Sequence, residues 1–278
     1  MNFEGYQSGA FFDELFDGSG SPRDIAKLLV DAIERLPAGD LVKRQGASDV
    51  AMRNMGITFN VYGSSEGTER TIPFDIVPRI IDGQEWDKVE AGLKQRIKAV
   101  NHFIDDIYHD REIITEGVLP EWLFTSSKGY LPQCQGLNPP KGVWAHVTGT
   151  DLIRDEEGRF FVLEDNLRVP SGVSYVLLNR FLMKHNFPEV FHRSHVRRVV
   201  DYPDRFIKML HLLAPEGVDR PTVAVLTPGM YNSAYFEHAF LARQMGALLV
   251  EGRDLVYDGK YVCAKTIYGL QRIDVIYR

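Results

Sequence analysis

Glu164, Asn166 and Arg168 stand at i, i+2 and i+4 in the string Leu163-Glu164-Asp165-Asn166-Leu167-Arg168-Val169-Pro170-Ser171-Gly172. The preceding Phe160-Phe161-Val162-Leu163 is a short apolar run with β-forming aromatics and reads as a buried strand. Successive side chains alternate along an extended chain, so the three polar residues share one face while Asp165 and Leu167 point the other way. Glu164 and Asn166 then offer two hard oxygen ligands to one cation, which suits Mg²⁺ working with substrate phosphates. Arg168 lies beside them, placed to hold a phosphoryl oxygen through charge-assisted hydrogen bonds. Pro170-Ser171-Gly172 ends the strand in a loop with free backbone N–H groups and a hydroxyl. By spacing alone the same residues also describe a strand that runs out into a polar loop, because Glu-x-Asn is a very short pattern.

The elements around this stretch must hold it in place. Val143-Trp144-Ala145-His146-Val147 reads as a strand, and Gly149-Thr150 bends the chain before Asp151-Leu152-Ile153-Arg154. Asp155-Glu156-Glu157-Gly158 is a hairpin turn, and residues 159–163 return, so the motif falls on the second strand of an antiparallel hairpin. Asp151 and Arg154 are either groups that support the site from behind or solvent-facing charges. After Tyr175 the chain turns helical until Phe187-Pro188-Glu189 breaks it. Arg193, His195, Arg197 and Arg198 then form a basic segment, a solvated helix face rather than a nucleic-acid patch, given a formal net charge of −6 and no interleaved aromatic platform.

Residues 202–213 form an amphipathic helix, and Pro215–Pro221 marks a domain boundary. Beyond it, residues 222–227 read as a buried strand, Pro228-Gly229 as a turn, a helix capped by Asn232 or Ser233 follows, and residues 247–250 form the next strand. That order predicts a β-α-β unit with parallel strands. Residues 261–266 and 272–278 add two more strands.

Upstream, Ser21 and Pro22 are suited to cap and start a helix that runs to Leu36, and a second helix covers 40–54. Residues 56–62 read as a strand, Gly63–Thr68 as a hairpin turn lacking the Lys-Ser/Thr of a phosphate loop, and 70–81 as an edge strand or extended linker. Residues 86–108 carry apolar positions every three or four residues and predict a long helix, with His102 and His109 on its surface. Residues 113–140 read as short elements and turns.

A chain of 278 residues with 44% apolar and 25% charged residues can build a globular core. No apolar run reaches the length of a membrane span, and Met1–Gly5 has no signal-peptide pattern, so the cytoplasm is the expected compartment, without membrane or nucleic-acid partners. Cys134 and Cys263 lack metal-ligand spacing and read as incidental thiols.

Several strings resemble the circularly permuted ATP-grasp proteins related to glutathionylspermidine synthase: residues 163–175, Gly-Thr-Asp-Leu-x-Arg-Asp at 149–155, Pro-Phe-Asp…Pro-Arg at 73–79, and Leu-Thr-Pro-Gly…Asn-Ser-Ala-Tyr-Phe-Glu-His at 226–238. The resemblance implies an α+β fold, an ATP-grasp-like antiparallel sheet with helices followed by the start of a Rossmann-like (pre-ATP-grasp) β-α-β domain. Residues 1–216 would be the portion carrying the metal strand and 217–278 an incomplete substrate domain. It implies an ATP-dependent carboxylate–amine ligase that forms a peptide bond through an acyl phosphate, acting on small-molecule or peptide carboxylates and amines. In that scheme Glu164 and Asn166 bind Mg²⁺ and thereby ATP, Arg168 acts on the transferred phosphoryl group, and Ser171 and Ser174 contact the acceptor substrate. The family's nucleotide-clamping lysines, Gly-rich flap and further acidic ligand are not found in these residues. The resemblance puts them past Arg278, in a missing C-terminal half or a partner chain, and these 278 residues alone are expected to be inactive. The alternative is a non-catalytic ligand-binding module that keeps the scaffold. Asp75 and Arg79 receive no role. Glu237 and His238 either touch substrate or are a helix-dipole acid and a surface histidine.

Overall fold

The computed structural model describes residues 3–60 and 69–278, and the turn expected at Gly63–Thr68 lies outside them. In chain order its elements begin with α1 (Lys27–Glu34), α2 (Asp40–Asn54), β1 (Thr58–Asn60) and β2 (Glu69–Thr71). Then come α3 (Gly83–Tyr108), α4 (Glu112–Thr115), α5 (Trp122–Ser126), β3 (Gly149–Arg154) and β4 (Phe160–Asn166). The chain continues with α6 (Val173–Asn186), α7 (Pro188–Arg193), α8 (Tyr202–Leu212), β5 (Val223–Leu226), α9 (Tyr235–Met245) and β6 (Leu248–Val250). It closes with β7 (Leu255–Tyr257), β8 (Val262–Thr266), β9 (Gly269–Arg272) and β10 (Val275–Tyr277). No helix among the described residues is long and apolar enough to cross a membrane.

The chain forms two compact units, Met1–Ile80 with Ser171–Arg278, and Ile81–Pro170. The boundary expected at 216/217 falls inside the first of these.

In the Ile81–Pro170 unit, Asp82 starts α3 by accepting the Gln84 and Glu85 N–H groups at 2.8 and 3.3 Å. Asp106, near the far end of α3, does the same for Glu112 and Ile113 at 2.8 and 3.1 Å and so turns the chain into α4. β3 and β4 pair antiparallel with a register shift between Asp151 and Leu152. Asp155 closes their turn by accepting the Arg159 N–H at 2.7 Å, with Gly158 at φ 85°. β4 is less buried than its apolar run suggests: Phe161 and Leu163 are exposed, because a two-stranded ribbon covers only one of its faces.

The strand expected at 143–147 does not form. Trp144 and Ala145 give their N–H groups to the Asn101 side chain of α3 at 2.9 and 3.0 Å. The Trp144 indole donates to Asp105 at 2.9 Å and stacks on Tyr108 at 5.0 Å. Side chains of the helix thus take the donors a sheet would have used.

In the other unit, Leu29, Ile33, Met52, Ile57, Ile76, Leu182 and Phe187 form the main core, which draws α1, α2, α6 and the residue before α7 together. α1 starts later than expected. Asp17 accepts the Ser19 and Ser21 N–H groups at 2.9 and 3.0 Å, and Pro22 bridges to Phe16, so Ser21 belongs to a loop and caps nothing. β10, β5 and β6 make a three-stranded sheet in that order, parallel throughout, with α9 connecting β5 to β6 as the β-α-β pattern required. α8 packs against β5 and β10, which keeps residues either side of 216 in one unit. β7, β8 and β9 form a separate antiparallel sheet. Its buried Ala264 joins a second core cluster with Ala224, Val250 and Ile273. Arg79, given no role above, pairs with Glu14.

Candidate functional site

In the Ile81–Pro170 unit the strand β4 ends in the polar residues of interest. Asn166 Nδ2 donates to Glu164 Oε1 at 3.2 Å, so the two side chains do share a face, and both are exposed. Asp165 between them faces away and is held there: Thr150 Oγ1 donates to it at 2.9 Å and Arg96 Nε at 2.7 Å. The register adds a residue to the first face. Asp151 lies directly opposite Glu164, and Gly149 opposite Asn166. Directly opposed residues of an antiparallel pair project on the same side. Asp151, Glu164 and Asn166 therefore gather on the solvent side of one hairpin end.

Two carboxylates and an amide oxygen are the hard donors that Mg²⁺ takes when phosphates and waters complete its shell, so the donor set fits that ion. Among the described residues no group of three or more His, Cys, Asp or Glu could hold a metal by itself. A cation here would rely on the amide and on ligand oxygens.

Arg154 does not join this set. Its side chain is nearly buried, donates to the Gly158 carbonyl at 3.0 Å and pairs with Glu85, which fastens the hairpin turn to α3. Arg168 is exposed but lies past the end of β4, so the turn and not the strand carries it. That turn is tight. Val169 adopts φ 51°, a left-handed conformation that a β-branched residue rarely takes. A Cβ at Gly149 would stand 2.9 Å from the Pro170 Cβ, so only glycine admits the proline there.

In the other unit, the loop Ser171–Ser174 is bound by a single carboxylate. Both Glu237 oxygens accept the Gly172 N–H at 2.9 Å, and Oε2 also accepts the Ser174 N–H at 2.9 Å and its hydroxyl at 2.7 Å. Glu237 is 3% exposed and Ser174 fully buried. The carboxylate occupies the N-terminal end of α6, where unpaired N–H groups and the helix dipole favour a negative charge. Ser174, expected at the substrate, thus spends its hydroxyl on Glu237, whereas Ser171 stays exposed. Nothing in the local pattern disclosed this. The available signal is an acid set in the first turn of a helix among Tyr235, Phe236, Leu241 and Met245.

The charge of Glu237 reaches its neighbours. Burial pushes the Tyr175 hydroxyl up to about 12, with Glu237 adding to the shift. Burial likewise raises Tyr277 to about 12, with Tyr202 and Glu237 contributing. His238 is held below its ordinary value by burial, partly offset by Glu237. Its Nδ1 lies 2.9 Å from the Oγ1 of buried Thr227, which also accepts the Gly229 N–H at 3.2 Å. Glu237 is therefore buried, and His238 is half-buried and tied to Thr227.

The described fold is similar to that of a glutathione synthetase-like effector from Globodera pallida, solved in its apo form, with a TM-score of 0.54 at 10% identity over 87% of this chain and 58% of that one. That likeness concerns architecture alone, a mixed helix-and-strand arrangement of the ATP-grasp kind. Residues 78–278 match the family model described as circularly permuted ATP-grasp type 2, and the chain belongs to that family. An uncharacterized protein of Synechocystis sp. is 50% identical over 278 residues, all of this chain and 58% of that protein. An uncharacterized protein of Mycobacterium tuberculosis is 48% identical over 96% of this chain and 48% of its own length. A Frankia casuarinae protein named "Putative glutamate--cysteine ligase 2-2" is 36% identical over 96% of this chain and 31% of its own length. The chain spans about half the length of the first two relatives and about a third of the last.

Proposed function

We propose that these residues form the metal-binding portion of an ATP-dependent carboxylate–amine ligase. The observation that carries the reading is the exposed cluster of Asp151, Glu164 and Asn166 at one hairpin end, in a chain of the circularly permuted ATP-grasp family. Mg²⁺ held there would bring ATP's phosphates to the reacting carboxylate and spread the charge of the transferred phosphoryl group. Glu164, Asn166 and Asp151 are its protein ligands, and Arg168 neutralises phosphoryl oxygens from the adjoining turn. The carboxylate becomes an acyl phosphate, which an amine attacks to give the amide with release of phosphate. Ser171 is the loop hydroxyl open to the acceptor substrate, while Glu237 and Ser174 set the shape of that loop. Residues 217–278 open a Rossmann-like substrate domain, and groups that clamp the nucleotide come from chain outside these residues. The names of the Frankia relatives support a small amino-acid substrate, and the cytoplasm supplies the ATP.

The test is Mg²⁺-dependent ADP formation by the full-length protein with candidate amino acids as substrates. Glu164→Gln is expected to lower turnover at least 100-fold with the melting temperature unchanged. Turnover at the parent rate in that variant removes Glu164 from the metal site. A full-length protein that binds ligands yet forms no ADP under any substrate pair identifies a non-catalytic binding module instead.

A further inference from the structure

A groove of about 500 Å³ opens between α6, α7 and the segment that follows α7. All of its lining residues belong to the unit formed by Met1–Ile80 and Ser171–Arg278. Its charged and aromatic lining consists of Arg180, Lys184, Phe191, His192, His195 and Arg198. Among the described residues no carboxylate lines it. The nearest acids in sequence are engaged elsewhere: Glu189 pairs with Arg193 at 3.2 Å, and Asp201 with Arg205 at 2.7 Å, although Arg198 also acts on Asp201.

Arg180 builds one wall. Its guanidinium donates to the Arg197 and Val196 carbonyls at 2.6 and 3.3 Å, which draws the post-α7 segment toward α6. His195, just before, takes φ 49°, a strained backbone for a residue with a side chain. Arg180 Nε is buried and has no partner. Phe191 offers partial compensation, with Arg180 at 4.8 Å and Lys184 at 5.4 Å from its ring centre. Burial and the like charge of Arg198 both work against the Arg180 cation.

A finite cavity with three permanent cations and no acid in its walls is electrostatically incomplete. An anion that entered would relieve the repulsion between Arg180 and Arg198 and offer its oxygens to Lys184 and Arg198. A group with two or more charges and several oxygens at tetrahedral spacing satisfies the cations better than a single carboxylate. Nucleic acid fits less well, since Phe191, the ring on which a base would stack, already carries two cations.

We infer that this groove is a binding site for a phosphate-bearing dianion or polyanion, held by Lys184 and Arg198 against a wall framed by Arg180. The inference does not rest on the ligase reading. Free pyrophosphate and the phosphate tail of a nucleotide share this chemistry.

Calorimetric titration of the 278-residue chain with inorganic pyrophosphate, at fixed ionic strength and without Mg²⁺, tests it. Saturable binding at one site is expected, weakened at least tenfold in Lys184→Gln/Arg198→Gln and changed less than twofold in Lys208→Gln, which removes an exposed cation of α8 outside the groove. Both altered groove residues are exposed, and circular dichroism checks that the double variant is folded. ATP without Mg²⁺ identifies the source: binding tenfold tighter than pyrophosphate marks a nucleotide tail, and equal or weaker binding marks the free anion. The inference is overturned by absence of saturable binding, by equal loss in Lys208→Gln, by no loss in the double variant, by citrate binding as tightly as pyrophosphate, or by a mixed-sequence oligonucleotide outcompeting both.

Discussion

Glu237 accepts the Ser174 hydroxyl at 2.7 Å and the Ser174 N–H at 2.9 Å, across 63 residues of sequence. With the Gly172 N–H this makes a fully buried carboxylate, answered entirely by donors at one helix end. Removing the acceptor leaves those donors stranded. Glu237→Ala is expected to lower stability by about 3 kcal/mol or more, and Ser174→Ala, which leaves the backbone bonds intact, by about 1–2 kcal/mol. Chemical denaturation measures both, and a Glu237→Ala loss no larger than that of Ser174→Ala contradicts the arrangement.

Glu164 and Asp165 are neighbours on opposite faces of β4. Glu164→Gln is expected to change the metal dependence of the full-length protein and leave the melting temperature within a degree or two. Asp165→Asn weakens the contacts with Arg96 and Thr150 and is expected to lower stability by about 1–2 kcal/mol. It should keep the Mg²⁺ response. Mn²⁺ titration followed by electron paramagnetic resonance, beside a thermal melt, separates the two. The reversed pattern would mean that the faces have been exchanged.

Asp151 gains its place only through the register. If it stands over the same cation as Glu164, Asp151→Asn should weaken Mg²⁺ activation of ADP formation several-fold, while Asp155→Asn, at the turn of the same hairpin, should not. Equal effects from the two would show a general charge effect and no ligand.

Gly149 cannot accept a side chain without moving Pro170. Gly149→Ala is expected to cost about 1–3 kcal/mol through overpacking. It should also disturb the Asn166 resonances, whose Cβ lies 3.9 Å from the added methyl group. An amide spectrum unchanged around Asn166 would refute the close approach.

His238 makes the fold sensitive to acid. Its folded value lies below the ordinary imidazole value of 6.5, so between the two the unfolded chain holds more protons than the folded one. Stability should therefore fall as the pH drops below about 6.5 and level off once the folded value is passed. His146, held down by burial alone, adds a slope of the same sign. Melting curves of the parent and His238→Asn between pH 7.5 and about 5 should converge on the acid side. Parallel curves would assign the slope elsewhere.

Local patterns carried much of this architecture. The helix at 40–54, the long helix ending at Tyr108, the hairpin bearing Glu164 and the parallel β-α-β unit each follow from periodicity and turn residues within the segment itself. What escaped depends on partners distant in sequence. Residues 143–147 have strand-forming side chains, but Asn101 and Asp105 claim their donors. Ser174 has the composition of a loop contact and is sealed by Glu237. Asp151 joins Glu164 because of an irregularity between Asp151 and Leu152 that alternation cannot foresee. Strand geometry extended to Arg168 overruns β4 by two residues, because the strand ends at Asn166 and the left-handed Val169 follows Arg168 directly.

The bonds to Glu237 also set an order in time. The β3–β4 hairpin joins residues at most 17 apart, Gly149 with Asn166, and can close as soon as its second strand leaves the ribosome. The N-terminal end of α6 has no such independence, since its acceptor is made more than 60 residues later. The central strand β5 likewise waits for its second neighbour, β10, which follows it by some 50 residues. During synthesis, then, the β3–β4 ribbon is an early product, and the loop at Ser171–Ser174 keeps its donors open to water, and to chaperones, until α9 arrives.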